Sequence, residues 1–211
     1  MINKENTFRP RGRPRSFDRN IVLERAMQTF WGLGYEGASI ADLTTAMKIT
    51  PQSLYAAFGS KSALYREALA FYQVTVGAFA ARALTEEPTA VAAFDRMLQE
   101  SAKEFCKPGR PRGCMVSTAV LTCASENQDE ARHVAQLRNA AVGAFQQRIE
   151  RAICDGEMGP DTNSATLARY LAAVVQGMSV QAQDGASKSE LMDIARMASL
   201  VLKQHQFKKQ S

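Results

Sequence analysis

Residues 39–58 read SIADLTTAMKITPQSLYAAF, and this stretch decides the fold. Ser39 opens a short helix with Asp42 three residues on, close to a capping box. Its inward side is Ile40, Leu43 and Met47. Thr50 is a strong N-cap, and Pro51 occupies the first helical position, where its missing N–H costs nothing. The second helix, 51–58, turns Leu54 and Phe58 inward and leaves Gln52, Ser53, Tyr55 and Ala56 outside. Lys48-Ile49-Thr50 joins the two helices at helix-turn-helix spacing. A plain helical hairpin would share that spacing. The outward residues favour DNA: small side chains at 53, 56 and 57 allow close approach to a major groove, and Gln52 can pair with adenine N6 and N7. Tyr55, Lys61 and the N–H groups at the Ser39 helix start suit phosphates, and Lys48 and Thr50 stand close by.

Charge supports the same reading. Up to residue 85 there are 11 Lys and Arg against 6 Asp and Glu, whereas the remainder carries 15 of each. The whole excess of +5 therefore sits in the first part, as in a polyanion-binding head on an electroneutral body. Residues 1–16 interleave Arg9, Arg11, Arg13 and Arg15 with Pro10, Gly12 and Pro14, which disfavours helix. This extended arm is similar to an AT-hook core and suits a narrow A·T minor groove. Its tetrapeptide Gly-Arg-Pro-Arg recurs at 109–112, where a surface loop is expected.

The rest of the chain predicts an all-α protein of 211 residues. Asp18 caps a helix with the face Leu23, Ala26, Met27, Phe30 and Leu33, broken by Gly32, Gly34 and Gly37. Ser60 caps a long helix to about Leu84, and a fifth runs from near Pro88 to near Cys106. After the loop 107–113 come a short apolar helix, about 114–124, a long helix, about 127–155, and the loop 156–163. Helix 187–203 has one apolar stripe, whereas helix 164–182 is apolar on two, so it needs cover on both sides. A second subunit supplies that cover, through Tyr170, Ala173, Val174, Gly177, Leu191, Ile194, Ala198 and Val201 in a four-helix bundle. The expected division is arm 1–16, helix-turn-helix domain 17–60, effector and dimerisation domain 61–206 and tail 207–211.

Residues 17–69 resemble the DNA-binding domain of the TetR/AcrR transcriptional regulators. The resemblance is carried by Ala26, Phe30, Gly34, Tyr35, Ser39, Ile40, Ile49, the run 53–58, Lys61, Leu64 and Ala68. It implies a homodimer with a three-helix head on a helical ligand-binding body, acting as a repressor that a small molecule or chemical modification releases from a pseudo-palindromic operator. The family often has Gly where Lys48 stands, and a left-handed Lys there costs roughly 1 kcal/mol.

Pro111-Arg-Gly-Cys114-Met-Val and Gln176-Gly177-Met178 with Gln181-Ala182 are similar to the NemR-type subgroup, whose resemblance implies a sensor cysteine at Cys114. Subgroup sensors can carry Lys where Gln183 stands here. From the residues alone, Cys114 is the best-placed thiol, at an expected helix start after Arg110 and Arg112. A buried structural cysteine is the competing reading, and Cys106 could fold back toward it. The other sensing scheme is an apolar pocket drawn from Phe71, Tyr72, Phe79, Phe94, Met97, Phe105, Met115, Phe145 and Met178. The expected partners are double-stranded DNA, a second copy and a small hydrophobic or electrophilic effector.

No cofactor is implied. With two histidines, His133 and His205, a histidine metal site is poorly supplied. Gly-rich phosphate loops, His-Glu-x-x-His and nucleophile elbows are lacking, which argues against an enzyme. No run of about 18 apolar residues and no secretory h-region occur, so a cytoplasmic protein is expected. An architectural DNA-binding protein without effector control is the alternative, but an apolar, Met-rich body serves no purpose in it.

Overall fold

The computed structural model describes residues 17–119 and 123–206. The arm with Arg9, Arg11, Arg13 and Arg15 and the tail 207–211 lie outside the described residues. The fold is all-α, and no strand occurs among the described residues.

Three helices form the head: α1 (Arg19–Gly37), α2 (Ile40–Met47) and α3 (Pro51–Phe58). Asp18 caps α1, accepting from the Asn20 N–H at 2.8 Å. Of the three glycines expected to break α1, Gly34 interrupts it with a kink at φ 73°, ψ 175°, a conformation only glycine adopts at little cost, Gly37 is its last residue, and Gly32 stays helical. Leu33, expected inside, is exposed beside that kink. Leu43, Met47 and Leu54 are fully buried, each contributing about 1.5–3 kcal/mol. Ile40 is only half-buried.

Helix α4 (Lys61–Val74) is capped by Ser60 and belongs to the same core. Its Tyr65 packs edge-on to Phe30 at 5.0 Å and lies 4.9 Å from the Tyr35 ring. The head core thus runs past residue 60. The single long helix expected over 60–84 is two. After β-branched Val74, Thr75 leaves helical geometry at φ −113°, ψ −93°, and α5 (Ala78–Glu86) restarts. Gly77 donates to the Tyr72 carbonyl at 2.8 Å, and a Cβ there would stand 2.9 Å from the Tyr72 ring.

The body is α5 with α6 (Ala90–Glu104), α7 (Gln128–Cys154), α8 (Ser164–Gln183) and α9 (Lys188–Gln204). Phe94, Met97, Leu98, Phe105, Ile149, Leu171 and Leu202 form its centre. The short helix expected over 114–124 is absent from its described residues. Cys114–Ala119 make turns, with one helical-type bond from the Thr118 N–H to the Cys114 carbonyl at 3.2 Å. Gly113 there is left-handed at φ +78° and closely packed against Ser179 of α8.

The loop 107–113 is at the surface over Lys107–Gly109, as expected, but docks inward from Arg110 on. Arg110 donates to the Glu104 carboxylate and lies 5.6 Å from the Trp31 ring centroid in α1. Arg112 donates to the Ala186 carbonyl between α8 and α9. The second Gly-Arg-Pro-Arg copy therefore ties the body to itself and to the head.

Candidate nucleic-acid interface and effector cavity

The exposed face of α2 and α3 is set by its caps. Ser39 accepts from the Asp42 N–H, and the Asp42 carboxylate accepts from Ser39 N at 2.9 Å, completing a capping box. The Ser39 hydroxyl, donating to that carboxylate at 2.6 Å, and then the Ser39 N–H hold the Asp42 carboxyl below its usual range. Lys48 is left-handed at φ 56°, ψ 43°, and its side chain is exposed. Thr50 accepts from the Ser53 N–H at 3.2 Å and shares a 3.0 Å hydroxyl contact with Ser53. Ser53 is thus half-buried and engaged in the cap rather than free. Gln52, Tyr55 and Ala56 face outward from α3, Tyr55 at 48% exposure.

Lys61 is half-buried, with Nζ 4.6 Å from the Tyr35 ring centroid, and burial lowers its pKa. Two cations that the sequence reading passed over serve structure. Arg25 donates to the Met47 carbonyl at the end of α2, and Arg19 pairs with Glu67 at 2.5 Å while lying over Phe58. Their signal was only a basic residue on the polar face of α1.

Between head and body lies a cavity of about 290 Å³. Tyr72, Phe79, Met97, Phe105 and Phe145 line it as expected, and so does Cys114. Four expected residues do not. Phe71 and Met115 pack against the head core, while Phe94 and Met178 are fully buried in the body core. Cys106 lies elsewhere too: Arg112 donates to its sulfur at 3.3 Å, and the thiol donates to the Ala186 carbonyl at 3.6 Å.

Cys114 is half-buried, and its N–H donates to Ser179 Oγ at 2.7 Å. The helix-dipole argument for its reactivity falls with the missing helix. Its neighbour in the cavity wall is Tyr72. Burial pushes the Tyr72 hydroxyl well above its ordinary pKa, and Cys114 adds to that by charge and by a hydrogen bond, with the Met115 N–H opposing. A phenol held protonated can donate to sulfur. Gln183 is also used: its amide donates to Thr118 Oγ1 at 3.1 Å.

The outer face of α8 and α9 is apolar. Tyr170, Val180, Met197 and Leu200 are exposed there, and Ala173 and Gly177 are exposed on α8. Val174, Ile194 and Val201 are half-buried. Leu191 and Ala198, expected on the face, are buried inside the protomer because their stripe of α9 belongs to the body core.

Residues 22–68 match the family model for bacterial regulatory proteins of the tetR family. The HTH-type transcriptional repressor ComR of Escherichia coli K12 is 34% identical over 194 residues, covering 88% of this chain and 89% of its own. The chain belongs to the TetR family. It is a DNA-binding transcriptional regulator and not an enzyme. The TetR regulator CifR, solved as a cysteine mutant with 26-bp double-strand operator DNA, superposes with a TM-score of 0.87 at 41% identity over 90% of this chain and 98% of that one. Reduced E. coli NemR shares the fold, with a TM-score of 0.71 over 92% of this chain and 98% of its own, at 18% identity. Among the described residues, no helix is long and apolar enough to cross a membrane.

Proposed function

We propose that this TetR-family chain is a homodimeric repressor that holds a pseudo-palindromic operator through α3 and leaves it when a small-molecule or thiol-reactive effector enters the cavity beside Cys114. One observation carries the reading: Tyr72 serves both regions. Its ring lines the cavity, and it packs edge-on to Trp31 of the head at 5.1 Å. An occupant that displaces Tyr72 must disturb α1. The relatives support the polarity and the partner, since ComR is described as a repressor and CifR was solved on operator DNA. Pairing through the exposed faces of α8 and α9 would set two α3 helices about one helical turn of DNA apart.

Within this reading, a thiol-reactive effector acts at Cys114. Two of the cysteines substituted in the CifR complex are eight positions apart, as are Cys106 and Cys114. The cavity wall supplies an apolar approach to the Cys114 sulfur, whereas Cys106 is tied to Arg112 and Ala186.

The experiment is operator binding by fluorescence anisotropy, for wild type and Cys114→Ser, before and after N-ethylmaleimide. Wild type should be released while Cys114→Ser stays bound. Release of both, or of neither, refutes the thiol route and leaves reversible occupancy. The architectural alternative predicts binding that no cavity occupant changes.

A further inference from the structure

The cavity is mostly apolar; its neutral polar lining is Gln73, Ser101, Ser117 and Gln176, and Arg138 of α7 brings a charge to it. Among the described residues, no carboxylate lines the cavity and Arg138 is the one charged lining residue. Its Nη1 donates to the Ala119 carbonyl at 2.9 Å and more loosely to Val116 at 3.4 Å. Nε and Nη2 make no bond to the described residues, and no Asp or Glu among them pairs with this guanidinium. Burial lowers the Arg138 pKa, the sign of a cation short of compensation.

Arg138 also faces outward. A second cleft of about 290 Å³ lies between α7 and α8 and shares Arg138, Ala172 and Gln176 with the cavity. It adds Asn139 and a second cation, Arg169, and again no carboxylate. Two guanidinium groups and two amides thus bound the place where an apolar chamber meets solvent. Guanidinium edges with free Nε and Nη2 match a carboxylate in a bidentate pair. A singly charged headgroup balances Arg138, and the chamber accepts an uncharged body. Its volume lies at the lower end of the roughly 300–1,000 Å³ range of small-molecule pockets, so one aromatic ring on a short chain suits it.

We infer that the cavity selects an amphipathic carboxylate, with its apolar body among Phe79, Met97, Phe105 and Phe145 and its carboxylate on Arg138 at the mouth shared with Arg169 and Gln176. This deepens the effector reading above and rests on that cavity being the effector site.

The test compares phenylbutyrate with its primary amide by isothermal titration on the full-length protein at fixed ionic strength. Charge-assisted bonds of roughly 1.5–3 kcal/mol predict that the carboxylate binds about tenfold to a hundredfold more tightly. Arg138→Gln should bring the two ligands to similar affinity, and Arg138→Lys should restore part of the preference. The wild-type comparison needs no variant, so a poorly folded Arg138→Gln does not blunt it. Equal binding of acid and amide, tighter binding of the amide, binding of neither, or a preference unchanged in Arg138→Gln overturns the inference. Operator release is read separately. Selective phenylbutyrate binding with no loss of operator affinity overturns the effector reading and leaves the ligand class standing. Release by uncharged ligands alone does the reverse.

Discussion

Gly113→Ala tests whether the approach of the 107–113 loop to α8 is as tight as it looks. Gly113 has φ +78°, and a Cβ on it would stand 2.7 Å from the Ser179 carbonyl oxygen and 2.8 Å from Ser179 Oγ. Ser179 is fully buried in α8, so its carbonyl cannot move without moving the helix. Left-handed geometry for alanine costs about 1 kcal/mol. Overpacking against backbone adds about 1–3 kcal/mol. Pushing the strand away also stretches the 2.7 Å bond from the Cys114 N–H to Ser179 Oγ, worth about 1 kcal/mol. The expected loss is about 3–5 kcal/mol, or roughly 6–20 °C in Tm for a chain of this size. Gly109→Ala is the control. It shares the left-handed conformation at φ +83° but has nothing within 4 Å of the added Cβ, so it should lose only about 1 kcal/mol. The assay is thermal unfolding by circular dichroism at one protein concentration. Equal drops for the two variants would refute the close approach and, with it, the view that Gly113 docks Cys114 onto α8.

Gln52→Ala should lose roughly 1–3 kcal/mol at one base position per half-site, whereas Lys61→Ala should weaken all sequences alike and flatten the salt slope by about 0.9; identical profiles across operator variants would contradict these roles. Burial alone would raise the Glu130 pKa, but hydrogen bonds from Arg66 and Ser62 outweigh it and hold it below the usual value. A depressed folded pKa means that Glu130 stabilises above the unfolded carboxylate pKa and that this is lost as pH falls through the folded value. Glu130→Gln should therefore melt lower than wild type at neutral pH, and the gap should close on acidification below about pH 4; a gap independent of pH would contradict the linkage. Gly177→Asp should give folded monomers by sedimentation, because a side chain there meets nothing within the protomer and would meet only a partner; an unchanged dimer would remove α8 from the interface.

The head was legible because its signals are local. The Asp18, Ser39, Thr50 and Ser60 caps, Pro51 and the inward Leu43, Met47, Leu54 and Phe58 are each fixed by a few neighbouring residues. The region around Cys114 was less legible because tertiary contacts decide it. Propensity favours helix at 114–124, but Gly113 is pinned against Ser179, which no spacing announces. Likewise, apolar composition named five of the cavity's aromatic and Met residues, yet could not separate them from Phe94 and Met178, which face the body core. Arg138 gave no signal at all. Its importance depends on the lack of a nearby acid, which only the fold reveals.

The surviving case for Cys114 is thus unlike the one its sequence suggests. A helix dipole would make the thiol reactive but leave its modification unconnected to DNA. In the structure, Cys114 is one contact from Tyr72, Tyr72 is one contact from Trp31, and Trp31 lies in the helix that supports α2 through Arg25 and the buried face of Met27 and Phe30. Arg110 reaches the same Trp31 from the loop that Gly113 docks onto α8. Two short routes therefore converge on one side chain, one from the cavity and one from α8, whose outer face is exposed. A packed interior does not deform continuously, so a change at either end must be taken up by Trp31 or by the helices around it. The orientation of the head can then respond to both the cavity occupant and the subunit interface, which is the coupling a ligand-released dimer requires.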